Sequence, residues 1–346
     1  MPSYDELKRR LDNGEVIILD GAVGTQLQSM GVPMHPVGWC GPANDSHPAT
    51  VALMHERYIK AGADVITTNT FSTIRPKLIG SGYGDKFEEI NIRAVRLAQE
   101  ARDRVAEGRP VYIAGSISSH IGHIDRRSGI PGGGDQPGLY TAQELRAYYR
   151  EVADILAEAG VDFFLLEHVG SDNEARMIAA EVVKETGLSF WAGLTASMER
   201  ENDTVFLRNR QEASIRSSME VLPEVRSVNR ERTLAEAVQD LVPLGPDLLS
   251  VFHSTVNVTD TALSILRQHW SGPMGAYPDA GRTDYTQRWK EEGVINEETV
   301  EQFASAACDW VGRGVQVIGA CCGFGPGYIK PLRQILPERI SSKDTV

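Results

Sequence analysis

The amino-acid sequence predicts an α/β fold, a (β/α)8 barrel of the TIM-barrel type in a single domain. Short runs rich in β-branched residues alternate with longer stretches of helical periodicity, which is typical of repeated βα units around a parallel sheet. The runs number eight, and eight strands close a barrel. The alternative is a doubly wound sheet, which more often has about five or six strands. Periodicity alone does not decide between the two.

The predicted strands and helices follow one another in regular order along the chain. Strands are predicted at residues 16–20, 64–68, 111–116, 162–167, 189–195, 247–256, 274–277 and 315–319. Helices are predicted at residues 49–61, 86–107, 142–159, 172–186, 234–241, 260–269, 297–312 and 328–336. Thr141 and Glu144 have the spacing of a capping box at a helix start. Glycine, which favours helix ends, follows several of these helices, at Gly62, Gly108, Gly160 and Gly187.

Two long segments interrupt the alternation within the single domain predicted for residues 1–346. Residues 116–140 form a glycine-rich loop, and residues 199–232 are dense in charge. Loops of this length in a compact domain are usually functional. We expect residues 116–140 to be a mobile cover over the functional site. We expect residues 199–232 to serve either as a lid or as the arm of a homo-oligomer.

The composition excludes several classes of function. The formal net charge is −12, so no basic face is available for nucleic acid or an anionic membrane. No apolar run reaches the roughly 18 residues of a membrane span, and the first residues lack a signal-peptide core. Four cysteines in 346 residues are too few for a disulfide framework. We therefore expect a cytoplasmic, soluble protein whose partners are small molecules.

Polar residues stand where the predicted strands end, and active sites of such barrels lie at the carboxyl ends of the strands. Asp20 and Glu167 end otherwise apolar strands, and each could bind an ammonium group, cap a helix or pair with a buried arginine. Asn69 and Asn257 could equally satisfy backbone groups at strand ends. Asp279 follows the seventh strand. Glycine next to Asp20 would let backbone N–H groups approach a ligand closely.

The adjacent cysteines Cys321 and Cys322 follow the eighth strand in a glycine-rich turn. In an irregular loop both sulfurs can face one ion, and thiolates favour zinc. A catalytic zinc usually has three protein ligands, so two cysteines are an incomplete set. The alternative is that they are two small apolar residues in a turn. None of the eight histidines has a spacing that indicates a metal site.

Taken together, these motifs resemble the homocysteine S-methyltransferase family, which includes betaine–homocysteine methyltransferase and the homocysteine-binding module of cobalamin-dependent methionine synthase. The family's fold is a (β/α)8 barrel. The matching motifs occur in order over most of the chain, and they are Leu19-Asp20-Gly21-Ala22-Val23-Gly24-Thr25, Ala61-Gly62-Ala63-Asp64-Val65-Ile66-Thr67-Thr68-Asn69-Thr70-Phe71, Ala114-Gly115-Ser116, Glu167, Tyr277-Pro278-Asp279-Ala280-Gly281 and Gly319-Ala320-Cys321-Cys322-Gly323.

The resemblance implies transfer of a methyl group to a thiol such as homocysteine. In the family three cysteines bind zinc, and the substrate thiol takes the fourth position and attacks a methyl group on a sulfonium, an ammonium or a cobalamin. Asp20 and Glu167 match positions that hold the amino end of homocysteine. The other substrate-binding positions, for the carboxylate end and its surroundings, are Gly21, Ala22, Thr67, Thr68, Asn69 and Asn257. The sequence shows no attached cobalamin or folate domain, so we expect a small onium donor.

One departure from the family concerns the zinc. The family's sixth strand ends in Gly-Val-Asn-Cys, and that cysteine is the first zinc ligand. The corresponding run here is Thr255-Val256-Asn257-Val258, and valine cannot coordinate a metal. Three interpretations remain open: a thiol methyltransferase in which a histidine or water replaces the missing ligand, a metal-free transferase acting on another substrate, or a binding barrel without catalysis. With Val258 in that position, we expect weak zinc binding or none.

Overall fold

The computed structural model describes residues 2–119, 121, 123–124, 131–132, 140–167, 173–198, 205–207, 233–280 and 299–340. Its centre is one sheet of eight parallel strands. In chain order the strands are β1 (Ile17–Ile18), β2 (Val65–Thr67), β3 (Tyr112–Ser118), β4 (Phe163–Glu167), β5 (Phe190–Leu194), β6 (Leu248–Phe252), β7 (Met274–Tyr277) and β8 (Val317–Ile318).

The sheet closes on itself. Each strand pairs with the next in the chain from β2 to β8, and β8 pairs with β1. A parallel bridge between Leu19 and Val65 joins β1 to β2. Around it, the Asp20 N–H donates to the Val65 carbonyl at 2.9 Å and the Asp64 N–H donates to the Ile18 carbonyl at 2.7 Å. The predicted (β/α)8 barrel is confirmed, and the doubly wound alternative is excluded.

Helices surround the barrel, and the eight that the periodicity predicts are present, together with four short ones that it does not predict, at residues 4–12, 24–29, 43–46 and 75–80. In chain order the helices are α1 (Tyr4–Asp12), α2 (Gly24–Ser29), α3 (Ala43–Ser46), α4 (Pro48–Ala61), α5 (Arg75–Gly80), α6 (Phe87–Val105), α7 (Ala142–Ala159), α8 (Asn173–Glu185), α9 (Leu234–Leu241), α10 (Val256–His269), α11 (Val300–Gly312) and α12 (Pro326–Ile335). The capping box of Thr141 and Glu144 begins α7. Gly62 and Gly160 end α4 and α7 in the left-handed region, which glycine adopts without a steric penalty.

The sixth βα unit differs from its prediction in a way that changes the site. A β-branched run suggested a strand over residues 247–256, but β6 ends at Phe252 and α10 begins at Val256. Thr255, a residue type that favours the position before a helix, has the extended backbone of an N-cap. Propensity for a strand is therefore overridden by packing, and residues 256–258 form the first turn of a helix.

The two predicted insertions are described only in part. β3 continues to Ser118, so residues 116–118 belong to the barrel and not to a loop. Within 119–140, the described segments His123–Ile124 and Pro131–Gly132 pair as antiparallel strands. Within 199–232, the described segment Val205–Leu207 pairs with Ala196–Met198. The predicted cover and the predicted lid or arm otherwise lie outside the described residues. No described helix is long and apolar enough to cross a membrane.

Helix α1 packs at the amino end of the barrel. Leu7 and Leu11 are buried among inward-facing side chains of the strands, including Trp191. The Trp191 indole N–H donates to the Tyr4 hydroxyl at 3.0 Å, and that hydroxyl donates to Asp247 at 2.9 Å. The amino end is thus sealed by apolar packing and buried hydrogen bonds, which leaves the carboxyl end for a ligand.

We expect Leu7→Ala to lower the free energy of unfolding by about 2–5 kcal/mol, because it opens a cavity among fully buried side chains. Lys8→Ala is the matched control on the same helix. Its half-exposed ion pair with Asp247 is worth less than about 1 kcal/mol. Urea unfolding of the two variants and the unmodified chain measures the difference. Equal losses in the two variants would contradict the sealing role of α1.

Candidate active site

A cavity that is partly open to solvent lies at the carboxyl ends of the strands. Its lining comes from the carboxyl ends of β1, β2, β4, β6, β7 and β8 and from segments that follow some of them, so distant parts of the chain meet there. Nearly all the residues predicted to form the site line this cavity, namely Asp20, Gly21, Ala22, Thr67, Thr68, Asn69, Glu167, Cys321 and Cys322.

Two carboxyl groups face this cavity. Asp20 is buried, and its two oxygens accept hydrogen bonds from the Thr67 N–H at 2.7 Å and the Thr67 hydroxyl at 2.9 Å. Glu167 accepts a hydrogen bond from the Ser116 hydroxyl. Among the described residues, neither carboxylate forms an ion pair with lysine or arginine. The arrangement therefore favours a cationic ligand and not the alternative of a buried arginine.

The pKa values of both acids are raised. For Asp20, burial raises the pKa, the two hydrogen bonds from Thr67 oppose it, and the charge of Glu167 adds to it. For Glu167, burial raises the pKa to about 7, the Ser116 hydrogen bond opposes it, and the charge of Cys322 adds to it. A bound ammonium group would reverse these shifts by stabilising the ionised forms.

Three potential metal ligands meet on the wall of the cavity. Each of His253, Cys321 and Cys322 offers one ligand atom, and these three atoms lie within 4.8 Å of one another. The Cys321 Sγ is 3.4 Å from His253 Nδ1 and 3.8 Å from the Cys322 Sγ. The pKa of Cys322 is lowered well below its usual value, because Cys321 donates a hydrogen bond to it and His253 lies beside it. The pKa of Cys321 is raised by burial.

Backbone hydrogen bonds between neighbouring strand ends place these ligands. The His253 N–H donates to the Tyr277 carbonyl at 3.2 Å, which ties the end of β6 to β7. The Cys321 N–H donates to the Pro278 carbonyl at 2.7 Å, which ties the segment after β8 to β7. His253 has a φ of 48°, a left-handed conformation that is uncommon but tolerated by histidine. The chain therefore turns sharply at this residue, directly after the strand.

The family model for homocysteine S-methyltransferases matches residues 17–336. This chain belongs to that family. A selenocysteine methyltransferase from Astragalus bisulcatus is 25% identical over 341 residues, covering 93% of each chain. Homocysteine S-methyltransferase 4 from Zea mays is 26% identical over 340 residues, covering 94% of this chain and 90% of the relative. The metallated homocysteine methyltransferase MmuM from Escherichia coli shares the fold, with a TM-score of 0.70 at 19% identity, over 95% of this chain and 99% of that one.

The structure revises the comparison with the family's first zinc ligand. Val258 lies in the first turn of α10. It is partly buried against the hydrophobic core between the helices and the strands, and it does not line the cavity. Asn257 is exposed, and the Thr255 hydroxyl lies 2.5 Å from its side-chain oxygen, so it is not brought to the cavity either. The expectation for Asn257 depended on a strand reaching Val256, and the expectation for Val258 depended on its match to the family's motif. The residue that follows the true strand end is His253.

His253 was missed in the sequence because the predicted strand ran through it. A signal was present, since Ser254 and Thr255 favour the position before a helix and would have ended the strand earlier. The aromatic lining was also missed, namely Trp39, Phe71, Phe252 and Tyr277. Single aromatic residues next to predicted strands cannot be distinguished from core residues by pattern alone.

Several predicted substrate-binding residues of the family motifs have internal roles. The Ala22 N–H donates to the Phe324 carbonyl at 3.1 Å. A side chain at Gly21 would meet that same carbonyl at 2.5 Å, so this glycine is required by close packing. Asn69 donates to the Cys40 carbonyl at 2.9 Å and holds the loop that carries Trp39. That contact supports the structural alternative for Asn69.

Glu167 gives a prediction for the ligand-free protein. Its unfolded pKa is near 4.5 and its folded pKa is about 7, so the folded state retains a proton that the unfolded state loses between these values. The stabilisation is complete below pH 4.5 and lost as the pH rises through 7, by about 2–3 kcal/mol. Glutamine does not titrate, so Glu167→Gln lacks this pH dependence. The free energy of unfolding of the variant minus that of the unmodified chain should therefore rise by about 2–3 kcal/mol between pH 4.5 and 8, as measured by urea unfolding. Parallel pH profiles would contradict this interpretation.

Proposed function

We propose that this chain transfers a methyl group from a small onium donor to the thiol or selenol of an amino acid such as homocysteine. We further propose that His253, Cys321 and Cys322 hold a zinc ion at which the acceptor binds. The observation that carries this proposal is the convergence of these three ligands on the wall of the same cavity as Asp20 and Glu167.

The donor set suits a catalytic zinc. Two cysteines and one histidine form a known catalytic combination, in which the fourth position is left for the substrate. Sulfur and imidazole ligands also favour zinc over calcium or magnesium. The three residues line the cavity, so an open position there is accessible to a small molecule. When bound, zinc would lower the pKa of the acceptor thiol and favour its ionised, nucleophilic form.

The carboxylates would orient the acceptor. An ammonium group between Glu167 and Asp20 would donate charge-assisted hydrogen bonds to both carboxylates, and such bonds are strong beside a buried group such as Asp20. Because the pKa of Glu167 is raised, its ionisation would be coupled to the arrival of this cation. The side chain of the amino acid would then extend towards the cysteines, which follow β8, the neighbour of β1 and the strand across the barrel from β4 and Glu167.

The aromatic lining supports a cationic donor. Trp39 and Phe71 pack edge to face with ring centroids 5.9 Å apart, and both line the cavity. An aromatic face attracts a quaternary ammonium or sulfonium group. In the transfer the acceptor lone pair forms the bond to the methyl carbon. The bond from that carbon to the onium atom breaks, and its electron pair leaves with the donor, which becomes neutral.

The metal centre is tested by zinc titration of three proteins under reducing conditions. The unmodified chain should bind one zinc per chain, and His253→Ala should weaken binding by more than about 100-fold, because a ligand is lost. Val258→Cys is the matched control and should leave zinc binding unchanged, since residue 258 lies in α10 outside the cavity lining.

The remaining outcomes distinguish the alternatives. A zinc-free chain that still methylates thiols would favour the metal-free transferase. A chain that binds no zinc and transfers no methyl group from any onium donor would favour a binding barrel. A gain of zinc in Val258→Cys alone would restore Val258 to the family's ligand position and remove His253 from it.

A second prediction concerns the donor. Phe71→Leu should raise the KM for the onium donor by about 3- to 30-fold, which corresponds to the loss of about 1–2 kcal/mol of cation–π attraction. The KM for the acceptor should not change. Inhibition by the uncharged tert-butyl isostere of a trimethylammonium donor is the control, and Phe71→Leu should leave it unaltered. Equal weakening of the charged and uncharged compounds would show that Phe71 contributes only shape.

The cytoplasmic location, the homo-oligomer and the single domain over residues 1–346 stay predictions. Small-molecule partners follow from the proposed reaction.

A further inference from the structure

Ser116 is a buried residue of β3 that lies beyond the last residues that pair β2 with β3, which are Thr67 and Ala114. Two threonine side chains of the segment after β2 bond its main-chain groups instead. The Ser116 N–H donates to the Thr68 hydroxyl oxygen at 3.2 Å, and the Ser116 carbonyl accepts a hydrogen bond from the Thr70 hydroxyl at 2.7 Å. On its other side Ser116 pairs with β4. The residue is therefore held from both sides.

Counting hydrogens assigns the donors in this cluster of hydroxyl groups. A hydroxyl has one hydrogen, and that of Thr70 is used on the Ser116 carbonyl. The contact of 2.7 Å between the Thr68 and Thr70 hydroxyls therefore has Thr68 as its donor. Thr68 lines the cavity, but its side-chain hydrogen is directed to Thr70 and is not available to the carboxylate of a ligand. The hydroxyl of Thr68 thus has an internal role in place of the substrate-binding role that the family resemblance implied.

The side chain of Ser116 connects this arrangement to Glu167. Its hydroxyl donates to Glu167 Oε2, whereas Oε1 accepts no hydrogen bond from the residues that the structure describes. A glutamate side chain has three torsions, and the last is broad, so an unrestrained carboxylate would occupy several orientations. The hydroxyls of Thr68, Thr70 and Ser116 are buried, where a hydrogen bond is stronger than in water. One oxygen of Glu167 is thus held by the barrel, and the other is left for a ligand in the cavity.

We propose that Ser116 is a positioning residue, which holds one oxygen of Glu167 so that the other receives the ammonium group of the acceptor amino acid. Thr68 and Thr70 hold Ser116 in turn. This inference rests on the proposed function, in which Glu167 binds that ammonium group. It gives the cavity a preference for acceptors that carry a charged amino group, because an acceptor without one gains nothing from an oriented carboxylate.

Binding of two ligands tests the role of Ser116, with dissociation constants measured by isothermal titration calorimetry in a reducing buffer that contains zinc. The ligands are L-homocysteine and 4-mercaptobutanoate, its analogue without the amino group. Ser116→Ala should weaken homocysteine binding by about 5- to 30-fold, less than the full loss of a hydrogen bond to a charged group, because Glu167 itself remains. It should change the binding of 4-mercaptobutanoate by no more than about twofold, because that ligand has no ammonium group to couple with Glu167.

Thr70→Val separates positioning from contact, because Thr70 does not line the cavity and cannot touch the ligand. Valine keeps the shape of the side chain and removes its hydroxyl. Homocysteine binding should weaken by about 2- to 10-fold, again with little change for 4-mercaptobutanoate. Ser250→Ala is the matched control and should leave the affinity for both ligands unchanged, since Ser250 is a buried strand residue outside the cavity lining whose hydroxyl donates to the Ala192 carbonyl at 3.2 Å. Thermal unfolding checks that each variant is folded.

Three other results would overturn the inference and leave the proposed function standing. Equal weakening of both ligands by Ser116→Ala would mean that Ser116 shapes the cavity and does not act through Glu167. Unchanged homocysteine binding in Ser116→Ala would mean that Glu167 is held without Ser116. Weakening by Ser116→Ala but not by Thr70→Val would remove the threonines from the arrangement.

The proposed function fails on separate measurements. If Glu167→Gln binds homocysteine as tightly as the unmodified chain does, Glu167 does not bind the ammonium group. If the unmodified chain binds no homocysteine, the acceptor is not this amino acid. Either result overturns the role of Ser116 as well, and neither depends on the Ser116 or Thr70 variants.

Discussion

Closure of the parallel sheet is the constraint on which every part of this site depends. The bridge between Leu19 and Val65 and its flanking hydrogen bonds bring β1 to β2 and complete the ring. Because all the strands are parallel, their carboxyl ends then share one face of the barrel. Asp20, at the end of β1, reaches Thr67 at the end of β2 only because the ring is closed there.

The two ends of the barrel have opposite physical character. At the amino end, α1 buries leucines among the inward-facing side chains, and the polar groups that remain are paired. At the carboxyl end, Asp20 and Glu167 are enclosed without a basic partner among the described residues, and their pKa values rise as a result. The free-energy cost of burying these acids therefore falls at the site where a cationic ligand can reduce it.

In the proposed metal site, an imidazole would take the place of a thiolate and change the charge of the ligand set. Two thiolates neutralise the charge of a divalent ion, so a third negative ligand is not needed for charge balance, and the cavity already holds two carboxyl groups. The buried carboxylate of Asp279 lies beside the imidazole, with its Oδ2 3.6 Å from His253 Nδ1.

The sequence alone indicated eight alternating βα units and the motifs around Asp20, Glu167 and the adjacent cysteines, and the resemblance of these motifs to a family implied a barrel with its site at the carboxyl ends of the strands. Hydrophobic periodicity and the order of short motifs can be read along the chain, although periodicity alone does not distinguish a barrel from a doubly wound sheet. The end of β6 was decided only by the tertiary structure. The predicted strand ran to Val256, yet the chain begins a helix at that residue because packing between α10 and the barrel outweighs local propensity. That shift of a few residues removes Val258 from the cavity wall and puts His253 there. Which side chains meet across neighbouring strands depends on where each strand stops, and no single segment contains that information.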